Sequence, residues 1–312
     1  MMESFIFSVN AVLPVFLLVA LGFLLRLRGI IDKTFIKTAN KLLFNVFFFC
    51  RLFDEIWHSD LRQDFDVDLI IAGVFGTIFC FVVMRLIVPR FLPSVPVYTS
   101  FIQGAFRGNF LLLGLVIVEN ISGDAGLIKA AMMMPFTVPL YNILSVLLLA
   151  ENNKQAGWMG TFKKIATNPL ILASIFGVIA SLVGLQLPAV LYKPIQQMGG
   201  IASPLAMIIL GANITFDKGL AGFKLAMIGT SIKLVFQPLI MCAIFIVLGF
   251  RGPALSVLLV MFGAPSAVSS FPMAAAMGAD ADLAAQLVVL TTALSLLSLF
   301  GFIFVFKVMA FI

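Results

Sequence analysis

Two short polar interruptions of long apolar stretches hold the residues best equipped for chemistry. Gln103, Gly104, Arg107, Gly108 and Asn109 break the first. About half a chain later, Gly263, Ala264, Pro265 and Ser266 break the second, with Ser269 and Ser270 one turn on. A guanidinium presents a planar fork of five N–H donors suited to a carboxylate. The Asn109 amide adds a donor and an acceptor, and flanking glycines let backbone approach a ligand. An arginine at bilayer depth costs at least ~2.5–3.5 kcal/mol on insertion scales, so such a residue marks a site or a pathway by default. The competing reading of Arg107 is structural: it caps carbonyls of a broken neighbouring helix or pairs with an acid. No acid is expected at that depth in any span, which favours an organic-anion site.

In the second break, Pro265 removes an N–H and frees carbonyls one turn earlier. Ser266 and Ser269 then either bond a ligand or re-satisfy that backbone. Proline-and-serine kinks are ordinary in membrane helices, so it is the pairing with the first break that points to binding. Lys233 and Gln237, one turn apart before Pro238, form another deep polar pair. They serve a ligand or a coupling ion, or they bond broken-helix carbonyls. Asn40, Asn45 and Asn142 read as interhelical hydrogen-bonders. Gly199, Gly200, Ala202, Ser203 and Ala206 suit close helix contact.

The elements that position these groups are apolar helices. The chain has 312 residues, 62% of them hydrophobic and 11% charged, with a mean hydropathy of +1.15. Runs of twenty apolar residues are the length that crosses ~30 Å of hydrocarbon. The fold class expected is therefore all-α, a polytopic membrane protein. Ten spans fit, at roughly 5–25, 34–56, 67–88, 97–119, 126–150, 169–186, 190–214, 222–248, 254–277 and 283–309. The N-terminus lacks a basic signal-peptide region, so the first apolar run reads as a retained helix. The net charge of +6 comes from basic residues flanking spans, which argues for membrane anchoring and against a nucleic-acid partner. Cys50, Cys80 and Cys242 are scattered and read as small apolar residues. With His58 the lone histidine, a zinc hydrolase site is excluded, and no cofactor or metal is expected. An intramembrane aspartyl protease would need two deep aspartates, and the sequence offers none.

Basic residues set the orientation. Arg26, Arg28, Lys33, Lys37, Arg85, Arg90, Lys154, Lys163, Lys164, Lys218 and Lys224 fall on one side. Arg51, Arg62, Lys129, Lys193, Arg251 and Lys307 fall on the other, with the acidic segment of Asp54, Glu55, Asp60, Asp64, Asp66 and Asp68. The bias places both termini outside and the central loop in the cytoplasm. The divisions are 1–150, a linker at 151–167 and 168–312. Five spans per half is odd, so the second half enters inverted; the breaks then fall in the fourth span of each half, spans four and nine.

An ordered set of motifs resembles the auxin efflux carrier family nearly end to end. It comprises Arg107-Gly108-Asn109-Phe110 with Gly114, Asn168-Pro169-Leu170, Leu187-Pro188 and Ser203-Pro204-Leu205-Ala206 through Leu210-Gly211-Ala212. Lys233-Leu234 with Pro238, Ala264-Pro265-Ser266-Ala267, Gly278-Ala279-Asp280 and Thr291-Thr292-Ala293-Leu294-Ser295 complete it. The absence of a long central loop fits the short prokaryotic, malate- and malonate-permease-like branch. The resemblance implies two inverted five-helix repeats, with a scaffold of spans one, two, six and seven that often forms homodimers. It also implies a transport domain of spans three to five and eight to ten, with four and nine crossing at the substrate. Malate, malonate or an auxin-like acid is the substrate class implied. One departure is Phe47-Phe48-Phe49-Cys50-Arg51, where span two of the family commonly carries a proline, so the part span two plays is left open.

The reading is a secondary carrier of small organic anions in the cell membrane, working by alternating access. Without a deep Asp or Glu, uniport or anion exchange is the simpler mode and proton symport the alternative. An anion channel would need a continuous polar face, and a membrane sensor an appended signalling domain; the sequence offers neither.

Overall fold

The structure, a computed structural model, describes residues 17–58, 66–110, 114–152, 167–213 and 219–312. Several expectations therefore fall outside the described residues: the first part of span one, Asp60, Arg62 and Asp64, Lys154, Lys163, Lys164 and Lys218. Every regular element among the described residues is helical.

α1 covers Leu17–Leu27. The second expected span is α2 (Lys33–Leu42), a π turn at Leu43–Phe47 and α3 (Phe48–Trp57). Asp32 starts α2 by accepting the Phe35 N–H at 2.6 Å, and Asp66 starts α4 (Val67–Phe91) by accepting that of Leu69 at 3.1 Å. α5 (Val95–Phe106) ends at Arg107, and α6 (Leu115–Ala150) follows the break. Thirty-six helical residues would run ~54 Å, longer than a bilayer is thick. Gly123, with φ of 58°, bends the run and divides it.

α7 (Pro169–Val183) begins on Asn168, whose side chain accepts from the backbone of Leu170 and Ile171, and stops at left-handed Gly184. Then come α8 (Ala189–Asn213), α9 (Gly219–Ser231), a second π turn at Ile232–Phe236 and α10 (Gln237–Val247). α11 (Gly252–Gly263), α12 (Ser270–Ala276) and α13 (Ala281–Val308) complete the order.

Among the described residues, four helices are long and apolar enough to cross a membrane: Val67–Phe91, Ile121–Ala150, Ala189–Ala212 and Gly222–Val247. A fifth is added if Ala281–Ser295 and Leu297–Val308, bent by 41°, count as one span. This is a multi-pass helical membrane protein. Fewer helices qualify than the ten spans expected, for identifiable reasons. Breaks cut the fourth and ninth expected spans into pieces, and the Lys33–Trp57 run carries Lys37, Lys41, Arg51, Asp54 and Glu55.

The apolar core is in two parts. One joins α4, α5, α6, α9, α10, α11 and α13 around Phe106, Met133, Phe245 and Phe262. The other joins α1, α2, α3, α7 and α8 around Leu43, Ile56, Ala173 and Ala206, and takes Val138, Val146 and Leu149 of α6, Phe271 and Met273 of α12 and Val288 of α13. α1 and α8 meet backbone to backbone. A Cβ on Gly22 would lie 1.9 Å from the Ile208 carbonyl oxygen, and one on Gly211 1.9 Å from that of Val19. At one end of α4, Arg85 makes a two-pronged ion pair with Glu151, both bonds 2.9 Å, and Tyr98 donates to the same carboxylate at 2.5 Å. At its other end Asp66 pairs with Lys129. That bond is the main cause holding the Asp66 carboxyl below its ordinary range.

Candidate functional site

α5 and α11 both stop short, and the segments leaving them cross. Arg107 leaves α5 in an extended conformation (φ −85°, ψ 109°). Ala264, the residue before Pro265, does the same after α11 (φ −62°, ψ 146°), the geometry a following proline favours. Gly108 and Ser266 pair as an isolated antiparallel bridge. The Asn109 N–H donates to the Pro265 carbonyl at 2.7 Å, and the Ala267 N–H to that of Arg107 at 3.2 Å. Only glycine fits at 108, because a Cβ there would sit 2.9 Å from the Met261 carbonyl oxygen.

Two broken helices leave carbonyls without partners, and side chains supply them. The Ser266 hydroxyl donates to the Gly104 carbonyl at 2.5 Å, while its N–H donates to the Thr291 hydroxyl at 3.0 Å. Lys233, fully buried, donates to the Phe262 carbonyl at 3.2 Å and to the Gln237 side-chain oxygen at 3.1 Å. Its ammonium therefore sits at the negative end of α11. Of the two readings of Lys233, the geometry matches the bond to broken-helix carbonyls.

Arg107 is 5% exposed. One nitrogen of its fork donates to Asn142 at 2.7 Å and to Ser269 at 2.8 Å; the other reaches Ser145 at 3.4 Å and abuts the Met273 sulfur. All these partners are neutral, and among the described residues no acid pairs with the guanidinium. Asn142 also donates to Ser174 at 3.3 Å, tying α6 to α7. A charge buried among dipoles alone is poorly compensated.

A small cavity of about 60 Å³ opens beside the crossing. Arg107, Gly108, Asn109 and Ser269 line it, together with Phe110, Val138, Tyr141, Ser203, Ala267 and Val268. Its remaining wall is α3, through Phe48, Arg51, Leu52 and Glu55. The other expected site residues lie off this wall. Gln103 is buried against Met273. Gly263, Ala264, Pro265 and Ser266 build the crossing itself, and Lys233 with Gln237 braces it.

Two expectations change here. No acid is expected from the sequence at the depth of Arg107, yet Glu55 lines the same cavity. Span two, without its proline, contributes a full wall, and the π turn at Leu43–Phe47 shifts the helix face just before it. Asn142, Ser145 and Tyr141 also meet the site from α6. Of these only Asn142, a deep polar residue in an apolar run, carried a signal in the sequence.

The model of a family described as membrane transport protein matches residues 7–158 and 159–303. An uncharacterized transporter of Methanothermobacter thermautotrophicus is 28% identical over 297 residues, covering 95% of this chain and 97% of that protein. Both agree with a helical membrane protein. The chain belongs to this family of membrane transport proteins, the auxin efflux carriers.

Proposed function

We propose that the protein is a secondary carrier of small organic anions, carboxylates of the size of malate or malonate or an auxin-like acid, working by alternating access. The observation that carries this reading is Arg107: a buried guanidinium with neutral partners only, facing a cavity where two interrupted helices cross. Arg107 and Asn109 hold the carboxylate, Ser269 orients the fork, and the bonded crossing fixes their spacing. Lys233, Gln237, Gln103 and Ser266 keep the broken ends rigid.

The architecture proposed is ten spans in two inverted five-helix repeats, crossing near the midplane. The two-part core supports a division into a scaffold of spans one, two, six and seven and a moving domain of the other six. The scaffold offers a face for a homodimer. The ion pairs at opposite ends of α4 join groups assigned to the same side, and the bias of basic residues then puts the termini outside and the central loop in the cytoplasm. An anion moving alone would gain ~2.3 kcal/mol per charge per 100 mV on leaving a negative interior, so export needs no further coupling. Glu55 in the cavity wall favours a second reading, proton symport.

Counterflow of labelled malate, malonate and indole-3-acetate in proteoliposomes tests the function. At least one substrate saturates and exchanges, and Arg107→Ala abolishes that exchange while the protein still inserts and elutes as wild type. Undiminished exchange by Arg107→Ala removes Arg107 from the site.

A further inference from the structure

Arg51 and Glu55 lie one turn apart on α3, bonded to each other, and both face the cavity that Arg107 faces. Their side chains are 32% and 15% exposed, so the pair is partly withdrawn from solvent. Arg51 binds only one oxygen of the carboxylate. The second, Oε2, is buried and has no hydrogen-bond partner among the described residues. An ionised carboxylate with a bare, buried oxygen is costly, whereas a protonated one places its O–H on that oxygen.

The charges sum simply. Arg107, Arg51 and Glu55 are the charged side chains that line the cavity, and with Glu55 ionised their sum is +1. A monocarboxylate brings it to zero. A dicarboxylate brings it to −1, unless one proton from solution joins Glu55, and then the sum is again zero. That proton also releases Arg51 from its partner, leaving it free to pair with the second carboxylate. Buried net charge is the arrangement a weakly solvated site resists most.

Among the described residues, the other charged groups near the pair lie outside the cavity lining, and Lys233 is held behind the crossing by Gln237 and the Phe262 carbonyl. On α3, Asp54 faces His58 at 3.0 Å, near Tyr192. α7 contributes no ionisable side chain. α8 contributes Tyr192 and Lys193, and Lys193 is exposed. The π turn ahead of α3 carries Asn45 as its polar side chain. From α6, Tyr141 shares the cavity and is neutral; the Lys129 ammonium is held by Asp66.

We infer that Arg51 is the second carboxylate-binding group of a dicarboxylate site and that Glu55 carries the proton bound with each dicarboxylate. This rests on the carrier reading, with Arg107 holding the first carboxylate. It makes dicarboxylate transport proton-coupled while leaving monocarboxylates uncoupled.

Purified protein is titrated with malonate between roughly pH 7 and 9, where malonate is a dianion, and a pH indicator counts protons taken up on binding. Over the part of that range where Glu55 is ionised in the free protein, wild type should bind about tenfold more weakly for each pH unit raised, with up to one proton taken up per malonate. Glu55→Gln should bind with a flat profile and no proton uptake, and Glu55→Asp should restore both. Arg51→Gln should lose at least tenfold in malonate affinity. It should spare malonamate, the half-amide with one carboxylate, whose profile is flat in wild type. Thermal melts in detergent verify that each variant is folded. No malonate binding by wild type, a flat wild-type profile, or a wild-type slope surviving in Glu55→Gln overturns the inference. If Arg107→Ala abolishes malonate binding while Glu55→Gln keeps the slope, only the coupling falls. If Arg107→Ala binds as wild type does, the fault lies in the carrier site itself.

Discussion

Replacing Gly108 with alanine tests whether the crossing is as tight as described. The added methyl would lie 2.9 Å from the Met261 carbonyl oxygen and 3.3 Å from the Lys233 nitrogen. The first is backbone of α11, fixed by its own helix, so no rotamer change relieves it. The second is the ammonium that caps the Phe262 carbonyl, and pushing it away loosens that cap. Relief then requires the two strands to part by a few tenths of an ångström, lengthening the Asn109–Pro265 bond from 2.7 Å. Overpacking of this kind costs about 1–3 kcal/mol. The matched control is Gly200→Ala on α8, where nothing lies within 4 Å of the new methyl. There a helical glycine becomes alanine, a gain of roughly 0.5–1 kcal/mol. Thermal unfolding of the two variants in detergent, followed by a thiol-reactive dye or tryptophan fluorescence, reads the difference. Gly108→Ala should melt below wild type and Gly200→Ala at or above it. Equal melting of Gly108→Ala and wild type, with unaltered anion binding, would refute the close crossing.

Ser266→Ala strips the Gly104 carbonyl of its donor and should cost ~1–3 kcal/mol, read as a lower melting temperature. Lys233→Met removes the donor at the end of α11, so stability should fall while the surviving folded fraction keeps its anion affinity; a selective loss of affinity would return Lys233 to the site. Asp66 starts α4 and pairs with Lys129, which lowers its folded-state pKa. The stability it contributes is complete above the ordinary aspartate range of about 3.9 and disappears as pH falls through the folded value. Asp66→Ala should therefore cost about 0.5–2 kcal/mol at neutral pH and show a shallower acid loss than wild type in melts taken across pH.

The crossing was legible because its residues violate their surroundings. A charge, an amide and two glycines inside an apolar run have few uses in a membrane other than an enclosed site. Glu55 was hidden for the opposite reason. It stands next to Asp54 and ahead of Asp60 and Asp64, so it reads as the start of a polar loop. The extra residue of the π turn at Leu43–Phe47 also breaks the 3.6-residue phase by which the inward face of span two would be found. Lys233 and Gln237 were visible as deep polar residues, but which carbonyl they reach depends on where α11 ends, a tertiary fact. Asn142 could be seen as a hydrogen-bonder, whereas its meeting with Arg107 depends on the bend at Gly123 that sets the course of α6.

The joint between α1 and α8 limits how this molecule can rearrange. Gly22 and Gly211 leave no side chain between the two backbones, and each faces the other helix's carbonyl. Sliding either helix along its axis would bring a neighbouring methyl or branched chain into a gap sized for hydrogen. The contact tolerates tilting in place and resists translation, so any large displacement has its pivot elsewhere and these two helices serve as the fixed post against which it is measured.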